Sequence, residues 1–86
     1  MTAFQKQVKR VLTSQTSVNP DRVICRADGS VEVKRGYYYA PCTPQEWGER
    51  VQRVLANSGI RCSVTTFNDW RPWPKDSYLV AVVREG

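Results

Sequence analysis

The stretch CTPQEWGERVQRVLANSGI, residues 42–60, carries a helix start signal at one end and a stop signal at the other. Thr43 stands as N-cap, and Pro44 takes the first helical position, where its missing N–H does no harm. Glu46, three residues after the cap, can return a hydrogen bond to it, completing a capping box. Cys42 and Trp47 fall where a hydrophobic staple would pack, and Trp47, Val51, Val54 and Leu55 form an apolar stripe of helical period. Gly59 suits the left-handed residue that ends a helix, with Ile60 packing back on the last turn. An amphipathic helix fixed in mid-chain needs an apolar surface to cover, so the segments on either side must supply it.

The segment before it, Arg22 to Ala40, reads as two strands around the turn ADGS. A two-residue loop at Asp28-Gly29 would set Val23 and Cys25 beside Lys34 and Glu32, mixing apolar with charged side chains. A three-residue loop, Ala27-Asp28-Gly29 with Gly29 left-handed, pairs Cys25 with Val31 and Val23 with Val33 instead. That register gives one coherent apolar face and leaves Ile24, Arg26, Glu32 and Lys34 on the other.

Earlier in the chain, Phe4, Val8, Val11 and Leu12 gather on one face of a helix spanning Thr2 to Ser14, with Lys6, Lys9 and Arg10 opposite and Asn19-Pro20 as the breaker after it. Beyond Gly59, a strand from Ile60 to Phe67 alternates Ile60, Cys62 and Val64 with Arg61, Ser63 and Thr65. The last strand, Tyr78 to Arg84, is almost continuously apolar and so belongs in the middle of a sheet. The expected fold is α+β, in the order α-β-β-α-β-β, with a four-stranded, mainly antiparallel sheet and both helices packed on one face. This order differs from the β-α-β-β-α-β of an RRM and the α-β-β-β-α of a double-stranded RNA module. The order of strands within the sheet does not follow from the sequence.

A length of 86 residues, 41% hydrophobic and 24% charged, suits one domain over residues 1–86. The longest apolar run is too short for a bilayer, and the first residues lack the apolar stretch of a signal peptide, so a cytoplasmic location is expected. The cysteines at 25, 42 and 62 form no CxxC pair and no even disulfide framework, and reduced thiols are the default. The chain contains no histidine, which removes the commonest general base and metal ligand. Thirteen Lys plus Arg against eight Asp plus Glu give a net charge of +5, which favours phosphate backbones or acidic protein surfaces as partners.

Two aromatic clusters are candidates for contact. In KRGYYYAPC, residues 34–42, alternation cannot bury Tyr37, Tyr38 and Tyr39 in one core. With Val31 and Val33 inward, Tyr38 turns out, near Lys34 and Arg26, unless a bulge at Gly36 reverses the assignment, and Arg35 next to Lys34 is counted with them as a candidate contact. A ring beside cations on an open sheet stacks bases and holds phosphates, whereas the plainer reading is a tyrosine that caps the core edge with its hydroxyl in water. In DWRPWPKDSY, residues 69–78, a proline-stiffened loop offers Trp70, Arg71, Trp73 and Lys75 as a contact set, with one tryptophan expected to fold back over the core. Lys6, Lys9 and Arg10 could follow a phosphate backbone, but a solvated helix face also explains them. Cys42 before a helix N-terminus has no base beside it, and the staple accounts for it. Asp69 and Asp76 are too few for a metal site. No catalytic residue, cofactor or metal is assigned.

The stretches VEVKRGYYYAPCTPQEWGERV and WRPWPKDSYLVAVV place a basic strand ending in an aromatic triplet before a capped helix and a tryptophan-rich loop. Over residues 22–84 this pattern resembles small orphan proteins of phages and prophages. The resemblance implies a protein that binds and blocks a host complex, as anti-CRISPR inhibitors do, or that binds DNA in phage regulation, in the cytoplasm of the host cell. Inhibitors that imitate DNA are usually acidic, and a +5 chain departs from that mode. The expected function is a non-enzymatic binding module that docks on nucleic acid or a nucleic-acid-bearing protein complex through its basic and aromatic surface. The alternative is a phage-encoded, anti-CRISPR-like inhibitor that blocks a host defence complex by protein-protein contact.

Overall fold

The computed structural model describes residues 1–14, 18, 20–36, 42–69 and 78–86. Six elements follow one another: α1 (Ala3–Ser14), β1 (Arg22–Cys25), β2 (Val31–Gly36), α2 (Pro44–Asn57), β3 (Cys62–Asp69) and β4 (Tyr78–Glu85). The strands form one antiparallel sheet in the order β1-β2-β4-β3. β2 and β3 both run antiparallel to β4 between them, and are therefore parallel to each other. A tight turn cannot join two such strands, and α2 makes the crossover. The α+β class and the packing of both helices on one face agree with the sequence.

The β1–β2 hairpin has the register that coherent faces demand, Cys25 opposite Val31 and Val23 opposite Val33. Gly29 turns the corner at a φ of 91°, and Arg26 N–H donates to the Ser30 carbonyl at 2.9 Å to close the three-residue loop. The Asp28 carboxylate accepts from both the N–H and the hydroxyl of Ser30, at 3.0 and 2.6 Å, and these bonds lower its pKa. At the other end of the hairpin Asp21 N–H donates to the Lys34 carbonyl at 2.8 Å, and its carboxylate accepts from Gly36 N–H. The ladder with β4 runs in unbroken register to Gly36 opposite Tyr78, so no bulge falls within β2. Tyr37 to Pro41 lie outside the described residues.

α2 begins and ends as its sequence dictates. Glu46 N–H donates to the Thr43 hydroxyl oxygen at 3.2 Å, and the Glu46 carboxylate accepts from Thr43 N–H at 3.3 Å. Past the C-cap Ser58, Gly59 has a φ of 78° and donates to the Ala56 carbonyl, while Ile60 N–H donates to that of Leu55 at 3.0 Å, a Schellman closure. Because the Ile60 N–H is used there, β3 starts at Cys62 rather than at Ile60, and Ile60 joins the core at the helix end. Trp47 is fully buried, and its indole N–H donates to the Val33 carbonyl at 3.1 Å, tying α2 to β2. Cys42, at the staple position, is half-buried against the core.

α1 starts one residue later than the apolar pattern indicates, because Thr2 is its cap. Gln5 N–H donates to the Thr2 hydroxyl oxygen at 3.1 Å, and Thr2 N–H donates to the Gln5 side-chain oxygen at 2.9 Å. Gln5 itself is buried, and its amide nitrogen donates to the carbonyls of Arg26 and Ser30 at 2.6 and 3.0 Å. The helix is thereby fastened to the hairpin turn. Phe4, Val8 and Leu12 meet Val31, Val33, Leu79, Ala81, Val83, Trp47, Val51 and Leu55 in one core, joined by Val18 from the connection after α1. No helix among the described residues is long and apolar enough to cross a membrane.

Candidate functional site

The two helices share one side of the sheet, and among the described residues no helix covers the other. Alternation along the strands sends Arg22 and Ile24 of β1, Glu32 and Lys34 of β2, Tyr78, Val80, Val82 and Arg84 of β4, and Ser63, Thr65 and Phe67 of β3 to that open side. The register arranges them in rows. Arg22 stands opposite Lys34, Lys34 opposite Val80, and Val80 opposite Phe67. The next row runs Ile24, Glu32, Val82, Thr65.

Val80 and Val82 are buried, at 0% and 7% exposure, so the middle strand is covered on this side too, and the accessible part lies toward the margin, where Phe67 is 48% exposed. Its flanking position on β3, at the margin of the sheet, leaves its ring in water. Half an exposed phenylalanine ring forgoes much of the burial that normally holds such a side chain in a core, roughly 25 cal/mol for each Å2. At the opposite end of the row lie the Arg22 and Lys34 cations. Lys34 Nζ also lies 5.8 Å from the ring centroid of Tyr78, within cation–π range. Arg84, two residues beyond Val82 on the same strand face, donates to the Thr65 hydroxyl at 3.5 Å. Among the described residues this side thus carries two aromatic residues, Phe67 and Tyr78, several cations, and two acids: Glu32, whose charge is met by Arg26 at 2.7 Å, and Asp69, at the register position opposite Tyr78.

The structure separates residues that the sequence groups together. Lys34 is on the open side as expected. Arg35, its neighbour in β2, turns to the helix side, because successive side chains in a regular strand face opposite ways. Arg26 does not stand near Lys34: the cross-strand partner of Lys34 is Arg22, and Arg26 is four residues further along, about 13 Å by strand rise. Its guanidinium is held by Glu32, whose hydrogen bond and charge raise its pKa. Tyr38, Trp70, Arg71, Trp73 and Lys75 lie outside the described residues. Lys6, Lys9 and Arg10 are exposed on α1, in the helix layer, away from the row. Burial pushes the Cys62 thiol pKa up, the opposite of an activated nucleophile. Among the described residues no three of the Cys, Asp and Glu side chains group to hold a metal ion.

Arg22 and Phe67 are the members of this surface that lie outside both aromatic clusters. A signal for Phe67 was present: the alternation of Ile60, Cys62 and Val64 already assigns it to the outer face of its strand. Comparison with known proteins finds no matching family, no matching curated protein and no matching solved structure.

Proposed function

We propose that the protein is a non-enzymatic binding module that docks on nucleic acid, free or carried in a protein complex, through the side of the sheet opposite its helices. The row Arg22, Lys34, Val80, Phe67 carries this reading, with an exposed ring at one end and two cations at the other. Successive strands are spaced about 4.8 Å, so the ring and the Lys34 position are about 10 Å apart, with Val80, itself buried, between them. An exposed ring accepts an unpaired base by stacking, and cations nearby hold the phosphates that follow it. A single strand, whose bases are free to leave their own stack, fits this surface better than a duplex, whose bases are closed to a ring lying flat on a sheet.

The test is fluorescence anisotropy with labelled random-sequence single strands of DNA and RNA, at two salt concentrations. Binding that weakens as salt rises is expected, and Phe67→Ala is expected to weaken it by about 1–3 kcal/mol per stacked base. Because the ring is half in water, the thermal midpoint of that variant should barely move. Absence of binding at both salt concentrations overturns the reading.

A further inference from the structure

The two edges of the sheet are unlike each other. β1 at one margin is four residues long and begins with Arg22, the short and charged form in which natural sheets leave an unpaired edge. β3 at the other margin is eight residues long, CSVTTFND, with neither charge nor proline from Cys62 through Asn68. Among the described residues it pairs with β4 alone. A long, uncharged edge of alternating polar and apolar residues is a template for another strand.

We propose that β3 pairs antiparallel with β3 of a second copy of this chain, centred on Thr65, to make a continuous eight-stranded sheet. The register follows from the sequence of the strand. With Thr65 opposite itself, Val64 meets the partner's Thr66 on the helix side, and Ser63 meets the partner's Phe67 on the open side. Each face of one sheet therefore continues into the same face of the other. At the two ends of the pairing Arg61 comes opposite the partner's Asp69, so the strand is complementary in charge to its own reverse and no like charges face each other. The adjoining flank of α2 agrees. Gln52 and Ala56, which share a shallow depression with Arg61 and Cys62, are exposed and uncharged, so this part of the helix brings no charge of its own to the junction. The proposal is independent of nucleic-acid binding, although it would bring two open faces onto one side of a single sheet.

The test is the mass of the full chain by light scattering across a concentration series, together with Thr65→Lys. Thr65 is exposed, so lysine there can be accommodated by the single chain but sets two like charges directly opposite in the pair. A dimer for the native protein and a monomer for T65K with unchanged circular dichroism support the proposal. A native protein that stays monomeric to about millimolar concentration, or a T65K variant that stays dimeric, overturns it. If T65K does not fold, amide exchange of the native protein decides: alternate β3 amides that become more protected with rising concentration support the pairing, and amides indifferent to concentration contradict it.

Discussion

Lys34 and Phe67 stand in the same cross-strand row on either side of Val80, one ending the row's basic half and the other its aromatic end. Neither residue's neighbours in the chain foretell this relationship, since Lys34 belongs to β2 and Phe67 to β3. It exists because β4 enters the sheet between them.

If phosphates are held at the basic half, the cations there should be visible in the salt dependence. Arg22→Ala is expected to weaken single-strand binding about equally for all sequences and to reduce the salt slope by about 0.7, the value for one phosphate contact on a single strand. Lys6→Ala, on α1 and outside the row, should leave the slope unchanged. Anisotropy titrations at four or five salt concentrations check both, and equal slopes for the native protein and R22A contradict the assignment.

Packing of α2 on β3 hinges on Gly48, where an added Cβ would overlap the Thr66 methyl carbon Cγ2. Gly48→Ala should destabilise the fold by about 1–3 kcal/mol through overpacking, although alanine is the better helix former. In a Thr66→Ser background the obstructing methyl is gone, and the same change should become neutral or stabilising by up to about 1 kcal/mol. Chemical denaturation of the four proteins measures the coupling, and purely additive effects would contradict the contact.

Asp28 provides a pH test. Its pKa is lowered by the hydroxyl and N–H of Ser30, so the stability it contributes is present above the ordinary carboxylate pKa and disappears as pH falls through the lower folded value. Ser30→Ala deletes the hydroxyl donor while keeping the N–H, and the Asp28 pKa should rise back towards its ordinary value. Carbon-13 titration of the Asp28 carboxyl reads this directly, and an unchanged midpoint in the variant would show that the hydroxyl does not matter.

Gln5 joins α1 to the hairpin turn through two carbonyls, and Gln5→Leu removes both donors together with the bond to Thr2 N–H. A loss of about 1–3 kcal/mol is expected in urea or guanidinium unfolding, because buried polar groups left short of partners are costly. A change below about 0.5 kcal/mol would mean the carbonyls are satisfied without it.

Much of this architecture was legible in the sequence where local chemistry decides it. The helix from Pro44 to Asn57 carries its own start and stop, and the β1–β2 register follows from which residues must share a face. Gln5 was less visible: Thr2 and Gln5 have the spacing of a capping box, but a glutamine among lysines reads as solvent-facing until the hairpin turn is known to lie against it. The sheet order was not legible, because the apolar pattern of β4 asks for a central place without saying between which strands. For that reason the pairing of Arg22 with Lys34 and the place of Phe67 in their row come only from the fold, and the local clustering of Arg26, Lys34 and Arg35 in sequence gives way to alternation and register.

Under the proposed reading nucleic acid docks on the side of the sheet opposite the helices, and amide and side-chain chemical-shift mapping tests this most directly. A labelled protein titrated with a random-sequence single strand should show its largest shifts at Phe67, Thr65, Lys34 and Arg22, with the exposed faces of α1 and α2 little changed. Shifts concentrated on Lys6, Lys9 and Arg10, with Phe67 unmoved at saturation, would contradict the account.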